Sequence, residues 1–117
     1  MSHQVAPAMA WESAQRQHRP EAPFLTYARD GAAKIVHVVV EAGDEPAVLR
    51  CTGFGRALAS DIAQNPKLTL LWPAASDDAF SLLADGYGEI IGDLLIFTIE
   101  SAVLHRPAPL TGADACR

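Results

Sequence analysis

Apolar residues recur along this chain in short runs separated by glycine, proline and acidic turns, a pattern that predicts strands from Phe24 onward. Phe24–Arg29 and residues 34–41 are β-prone, and Asp30-Gly31 between them supplies the positive φ angles of a tight antiparallel hairpin. Residues 42–46 turn the chain into a further strand at 47–52. The clearest helical spacing follows over Arg56–Gln64, with Leu58 and Ile62 at i,i+4 and Ala59 and Ala63 beside them. Asn65-Pro66 ends that helix, because proline disfavours the helical conformation in the residue before it. Lys67–Trp72 reads as a strand and residues 73–78 as a polar loop. A long hairpin closes the pattern, with arms at 79–91 and 94–104 about Gly92-Asp93. Gly86 and Gly88 in its first arm predict a bulge or sharp bend. Residues 1–23 carry little pattern between Pro7 and Pro20; a short helix over 8–17, resting on the core through Met9 and Trp11, is the one element expected there.

The runs 35–40, 68–71 and 94–99 are apolar on both faces instead of alternating. A small antiparallel sheet of that kind has to close on itself and cover its outer side with a helix or a second subunit. The expected fold is therefore mainly β, a barrel of six antiparallel strands with one or two short helices, assembled as a homodimer. A length of 117 residues suits one core, and an apolar share of 50% with 20% charged residues suits a globular chain. The net charge of −5 argues against a nucleic-acid partner, which needs a basic face. No apolar run reaches the length that crosses a bilayer, and the first residues lack a basic region followed by a sustained apolar one, so no membrane partner and a cytoplasmic location are expected. Cys51 and Cys116 form no CxxC pair and are expected as reduced thiols, Cys51 as a small buried side chain. His3, His18, His37 and His105 show no spacing that brings two imidazoles to one metal, and no metal site is expected.

The chemistry concentrates between Val48 and Trp72. A strand that turns through Gly53-Phe54-Gly55 onto a helix N-terminus aims unpaired backbone N–H groups at one point, a ready place for a phosphate. Gly53 and Gly55 begin the dinucleotide fingerprint G-x-G-x-x-G, but Leu58 stands at its last position and the surrounding strands are hairpin-linked, which excludes a Rossmann site. A simpler anion site remains. Period-two alternation sets Val48, Arg50 and Thr52 on one strand face, below the turn that carries Arg56. Arginine suits phosphate because its planar fork donates two hydrogen bonds at once; the alternative is that Arg50 and Arg56 pair with nearby acids on the surface. Trp72 either stacks on a cofactor ring or covers the core, and His37 is a structural histidine or one that reaches a cofactor edge. Asp77-Asp78 reads as a solvated loop and Asp85 as a bend residue. Nothing resembles a Ser-His-Asp triad or a carboxylate pair of predictable separation.

The order of hairpin, strand, Thr52, short helix, Asn65-Pro66, the strand Leu68 to Trp72 and a long hairpin with central Asp85-Gly86 resembles the pyridoxamine 5′-phosphate oxidase-like split barrels, over residues 24–106. The resemblance implies a six-stranded split barrel flanked by an N-terminal segment at 1–23 and a tail at 107–117, and a homodimer with FMN at the subunit interface. F420 or haem replaces FMN in some branches of that family. It further implies a small oxidoreductase whose cofactor phosphate is held just before the short helix; the candidate cofactor residues here are Arg50, Thr52, Gly53, Phe54, Gly55 and Arg56, with Trp72 the candidate for the ring. A cofactor-storing protein without turnover and a ligand-free interaction module are the alternatives. Arg56, Ala57 and Leu58 stand where the family's oxidases carry Ser-Arg-Lys, and oxidation of pyridoxamine phosphate is not expected.

Overall fold

The computed structural model describes residues 2–18, 22–76 and 79–106. Its strands are β1 (Ser2–Val5), β2 (Phe24–Arg29), β3 (Ala32–His37), β4 (Val39–Ala42), β5 (Val48–Thr52), β6 (Lys67–Trp72), β7 (Ser81–Ile91) and β8 (Leu94–His105). Two α-helices accompany them, α1 (Ala10–Gln17), entered through a single 3-10 turn, and α2 (Arg56–Gln64). Every ladder is antiparallel, and the strands hydrogen-bond in the order β3-β2-β6-β7-β8-β5-β4, with β1 added beside β8.

The two ends of this sheet, β3 and β4, are consecutive pieces of chain separated by Val38 alone. A sheet whose first and last strands are joined through one residue has to curl until its edges meet. Val38 turns its side chain into the core at 2% exposure and sends its N–H to the Pro23 carbonyl at 3.3 Å. The chain pairs with β2 before Val38 and with β5 after it. The expected count of six strands is corrected to eight among the described residues on these grounds. The predicted strand at 34–41 is two strands that serve opposite edges, and Ser2–Val5 adds a ladder to β8 from Ser2↔His105 to Val5↔Ala102.

The interior of the curl is filled by inward-facing residues of β2 and β4 to β8, among them Leu25, Val40, Leu49, Leu70, Leu95 and Phe97, while β1 and β3 add only the partly buried Val5 and Val36. α2 lays Leu58 and Ile62 on that core beside β2 and β7. An ion pair between Arg29 Nε and Asp61 Oδ2 at 3.0 Å fastens the helix to β2. α1 buries Ala10 and Ala14 and sets Trp11 against Trp72, while Met9 stays exposed instead of resting on the core. The first hairpin turns through Asp30 and Gly31 with φ of 51° and 81°, as Asp-Gly predicts. In the long hairpin the register shifts between Asp85 and Gly86, the expected bulge. A Cβ on Gly86 would stand 1.9 Å from the Thr98 carbonyl oxygen, so the backbones of β7 and β8 approach there as only glycine allows.

Candidate functional site

β5 ends at Thr52, and the chain then reverses through Gly53, whose φ of 83° is a left-handed conformation costly for other residues. Gly55 is extended and caps α2 without a side-chain hydrogen bond, and the helix has no acidic residue in its first turn. Leu58 N–H donates to the Gly55 carbonyl at 3.2 Å, while no side chain among the described residues takes the N–H groups ahead of it. The helix therefore presents free donors and the positive end of its dipole to the space above the turn.

That space is a cavity of about 560 Å³. Thr52 and the Gly53-Phe54-Gly55 turn form one wall and Arg56 and Ala59 of α2 another; the end of the long hairpin closes it with Ile90, Gly92 and Asp93. The structure thus brings together Thr52, Gly53, Phe54, Gly55 and Arg56. Arg56 is exposed and forms no ion pair among the described residues, so its guanidinium is available to a ligand.

Two of the expected site residues stand elsewhere. Trp72 is fully buried, tilted against Trp11 with ring centroids 6.5 Å apart, so it covers the core and cannot stack on a ring in this cavity. Arg50 does share a face with Val48 and Thr52, but its Nε donates to the Ala42 carbonyl at 3.1 Å and lies 3.4 Å from Glu41 Oε1. The neighbouring strand supplies both partners, and Arg50 follows the surface-paired alternative. Ala59, Ile90, Gly92 and Asp93 were not expected at the site. The hairpin turn at 92–93 lies far along the chain from α2, and the pairing of β8 with β5, which sets Leu95 opposite Cys51, brings it beside Thr52 and the helix head.

The remaining candidates have structural partners. Asp85 accepts from Thr69 Oγ1 at 2.5 Å beside the bulge. His37 is exposed and stacks on Phe24 with centroids 4.0 Å apart. Cys51 is free and buried on the inner face of β5, and burial pushes its thiol up to about 12. Cys116 and Asp77-Asp78 lie outside the described residues.

No protein-family model matches the sequence, and no curated protein is significantly similar to it. Solved structures are similar in fold. A Clostridium acetobutylicum protein related to general stress protein 26 of B. subtilis, of the pyridoxinephosphate oxidase family, has a TM-score of 0.67 at 15% identity, over 87% of this chain and 91% of that one. An FAD-binding protein from Mesorhizobium loti has a TM-score of 0.62 at 15% identity, over 89% and 96%. The FMN-binding domain of a flavin reductase-like enzyme from Shewanella baltica has a TM-score of 0.62 at 10% identity, over 89% and 77%. The chain has the oxidase-like split-barrel fold. In this split barrel the cavity at the head of α2 is the place where free backbone donors, a hydroxyl and an uncommitted arginine meet.

Proposed function

We propose that this split barrel binds a flavin nucleotide at the head of α2 and works as a small oxidoreductase. The observation that carries the reading is the cavity in which Thr52, the glycine turn and Arg56 converge on an uncapped helix N-terminus, in a fold whose solved neighbours include FMN- and FAD-binding proteins. The donors suit a phosphate: a planar guanidinium, a hydroxyl and unpaired N–H groups all donate, and the helix dipole adds attraction for an anion. The volume lies within the range of small-molecule sites. A flavin supplies hydride chemistry of its own when bound, and the protein's part is to hold and orient it. Here Arg56 and Thr52 would hold the phosphate, and Gly53 and Gly55 let backbone approach it closely. FMN is the form implied by the sequence resemblance. Pyridoxamine phosphate oxidation is not proposed, because Ala57 and Leu58 replace two polar side chains at the helix entry.

The same reading includes a homodimer. The outer face of β4, β5, β8 and β7 carries the cross-strand row Glu41-Arg50-Ile96-Glu89, with Val48-Thr98-Tyr87 on one side and Ile91-Leu94 and Thr52-Val39 on the other. Val39 and Ile91 are more than half exposed, and Thr52 continues the face into the cavity. A second copy on this face would shield its apolar residues and border the ligand.

An absorbance spectrum of the purified protein, taken before and after incubation with excess FMN or FAD and removal of unbound ligand, tests the reading. Retained flavin bands at about one flavin per subunit support it, and reduction of that flavin by NAD(P)H would make it an oxidoreductase. A protein that retains neither nucleotide sinks it.

A further inference from the structure

The charges around the cavity are two: Arg56 at the head of α2 and Asp93 in the β7–β8 turn. Both are exposed, and they form no ion pair with each other. An arginine and a helix N-terminus, the latter worth roughly half a positive charge, face a ligand together with a full negative charge. The charge that this chain brings to the cavity is thus weakly positive and falls short of two. A phosphate monoester carries about −1.5 to −2 at neutral pH, whereas a phosphate in diester linkage carries one. The second charge of a monoester gains little from such a field and is repelled by Asp93, while its cost of leaving water rises.

We infer that Asp93 is a specificity-determining residue, which makes this cavity favour a cofactor phosphate in diester linkage over a terminal phosphate monoester. The inference rests on the flavin reading above and names the linkage class that reading leaves open. Asp93 lies on the turn of the long hairpin, remote from the helix in sequence, so the discrimination depends on the barrel folding the hairpin end back onto α2.

Three probes with one ring and one ribityl chain separate charge from every other contact: riboflavin, FMN and the methyl ester of FMN. Titrations followed by flavin fluorescence, in the unaltered protein and in Asp93→Asn, give the ratio of FMN to methyl-ester affinity. Asparagine keeps the turn's polar chemistry, and riboflavin, which has no phosphate, measures whatever the substitution does to binding apart from phosphate charge, an effect common to all three probes that the ratio cancels. The expected result is a rise of that ratio by about three- to tenfold in Asp93→Asn, the size of one unit charge removed across a solvated cavity. A ratio that Asp93→Asn leaves unchanged overturns the inference while flavin binding itself stands. Failure of all three probes to bind the unaltered protein overturns the flavin reading and the inference with it.

Discussion

Two arginines near one turn have different fates, and the reason is the partner each finds in its own strand neighbourhood. Arg50 spends its Nε on the Ala42 carbonyl and its charge on Glu41, whereas Arg56 stands uncommitted at the mouth of the cavity. Arg56→Ala should therefore weaken flavin nucleotide binding by about 1.5–3 kcal/mol, the usual worth of a charge-assisted hydrogen bond, with unfolding midpoints unchanged. Arg50→Ala should leave the same titration where it was. Equal losses in both variants would move the phosphate away from α2. Period-two alternation placed Arg50 and Thr52 on one face correctly, but spacing carries no information about which carbonyl an arginine reaches. Trp72 was ambiguous for a related reason: an aromatic at a strand end fits a ring site or a core equally well until the opposing helix is seen, and α1 decides it through Trp11.

Cys51 makes a further test at this scale. Its thiol has risen from an ordinary 9.0 to about 12 because burial penalises the thiolate. The folded protein then holds a proton that the unfolded chain releases across that window, so stability falls as pH rises from about 9 toward 12. Below pH 9 the contribution is intact. A Cys51→Ala variant, although less stable overall through its lost packing, should show a shallower decline in unfolding free energy over the same range. The native thiol should also resist alkylation at pH 8 and react once the protein is unfolded. Alkylation of the native protein at the rate of a free thiol would contradict its burial.

At the scale of elements, the helix is the part most completely written in local sequence. Leu58 and Ile62 mark its buried face, Asn65-Pro66 its end, and both lie where the spacing puts them. The Arg29–Asp61 ion pair that ties it to β2 is a tertiary contact and was not legible. The Arg29 side chain is more than a third exposed, so solvent screens this tether: a double-mutant cycle on Arg29→Ala and Asp61→Ala is expected to give a small favourable coupling, and no coupling at all would leave the helix held by Leu58 and Ile62 alone. The long hairpin's bulge was legible because Gly86 is a costly residue inside a strand unless something approaches it. Gly86→Ala places a methyl group against the Thr98 carbonyl and should destabilise by at least about 3 kcal/mol in denaturant unfolding, whereas a purely entropic role for this glycine would make alanine neutral or stabilising. Two features escaped local reasoning. The switch of edges at Val38 hides within the run 35–40, broken only by His37, because a strand that changes partners keeps its β propensity throughout. Ser2–Val5 has almost no apolar alternation, since its ladder to β8 leaves Ser2, His3 and Gln4 exposed.

At the scale of the whole molecule, closure through Val38 leaves one geometrical problem. The curl buries one face of β2 and of β4 to β8, yet several strands are apolar on both, and the helices add Leu58, Ile62, Ala10 and Ala14 to the core without sheltering the outer positions of β4, β7 and β8. Val39 and Ile91 consequently remain 54% and 57% exposed on a face that runs into the cavity at Thr52. Isolated apolar side chains need no explanation, but Val39, Ile96, Leu94, Ile91 and Tyr87 sit in adjacent cross-strand rows around the Arg50–Glu41 pair, an apolar field with a polar centre. In the proposed homodimer a two-fold axis through this face would bring the same apolar rows of two copies together. Sedimentation of the unaltered protein should give a dimer, and the double substitution Val39→Lys with Ile91→Lys should give a folded monomer, because both positions point outward and the core is untouched. If a second copy borders the ligand as proposed, flavin retention should fall with the dimer. A monomeric variant that keeps its flavin at full occupancy would confine the site to one chain, and a monomeric unaltered protein would leave the outer face to some other cover.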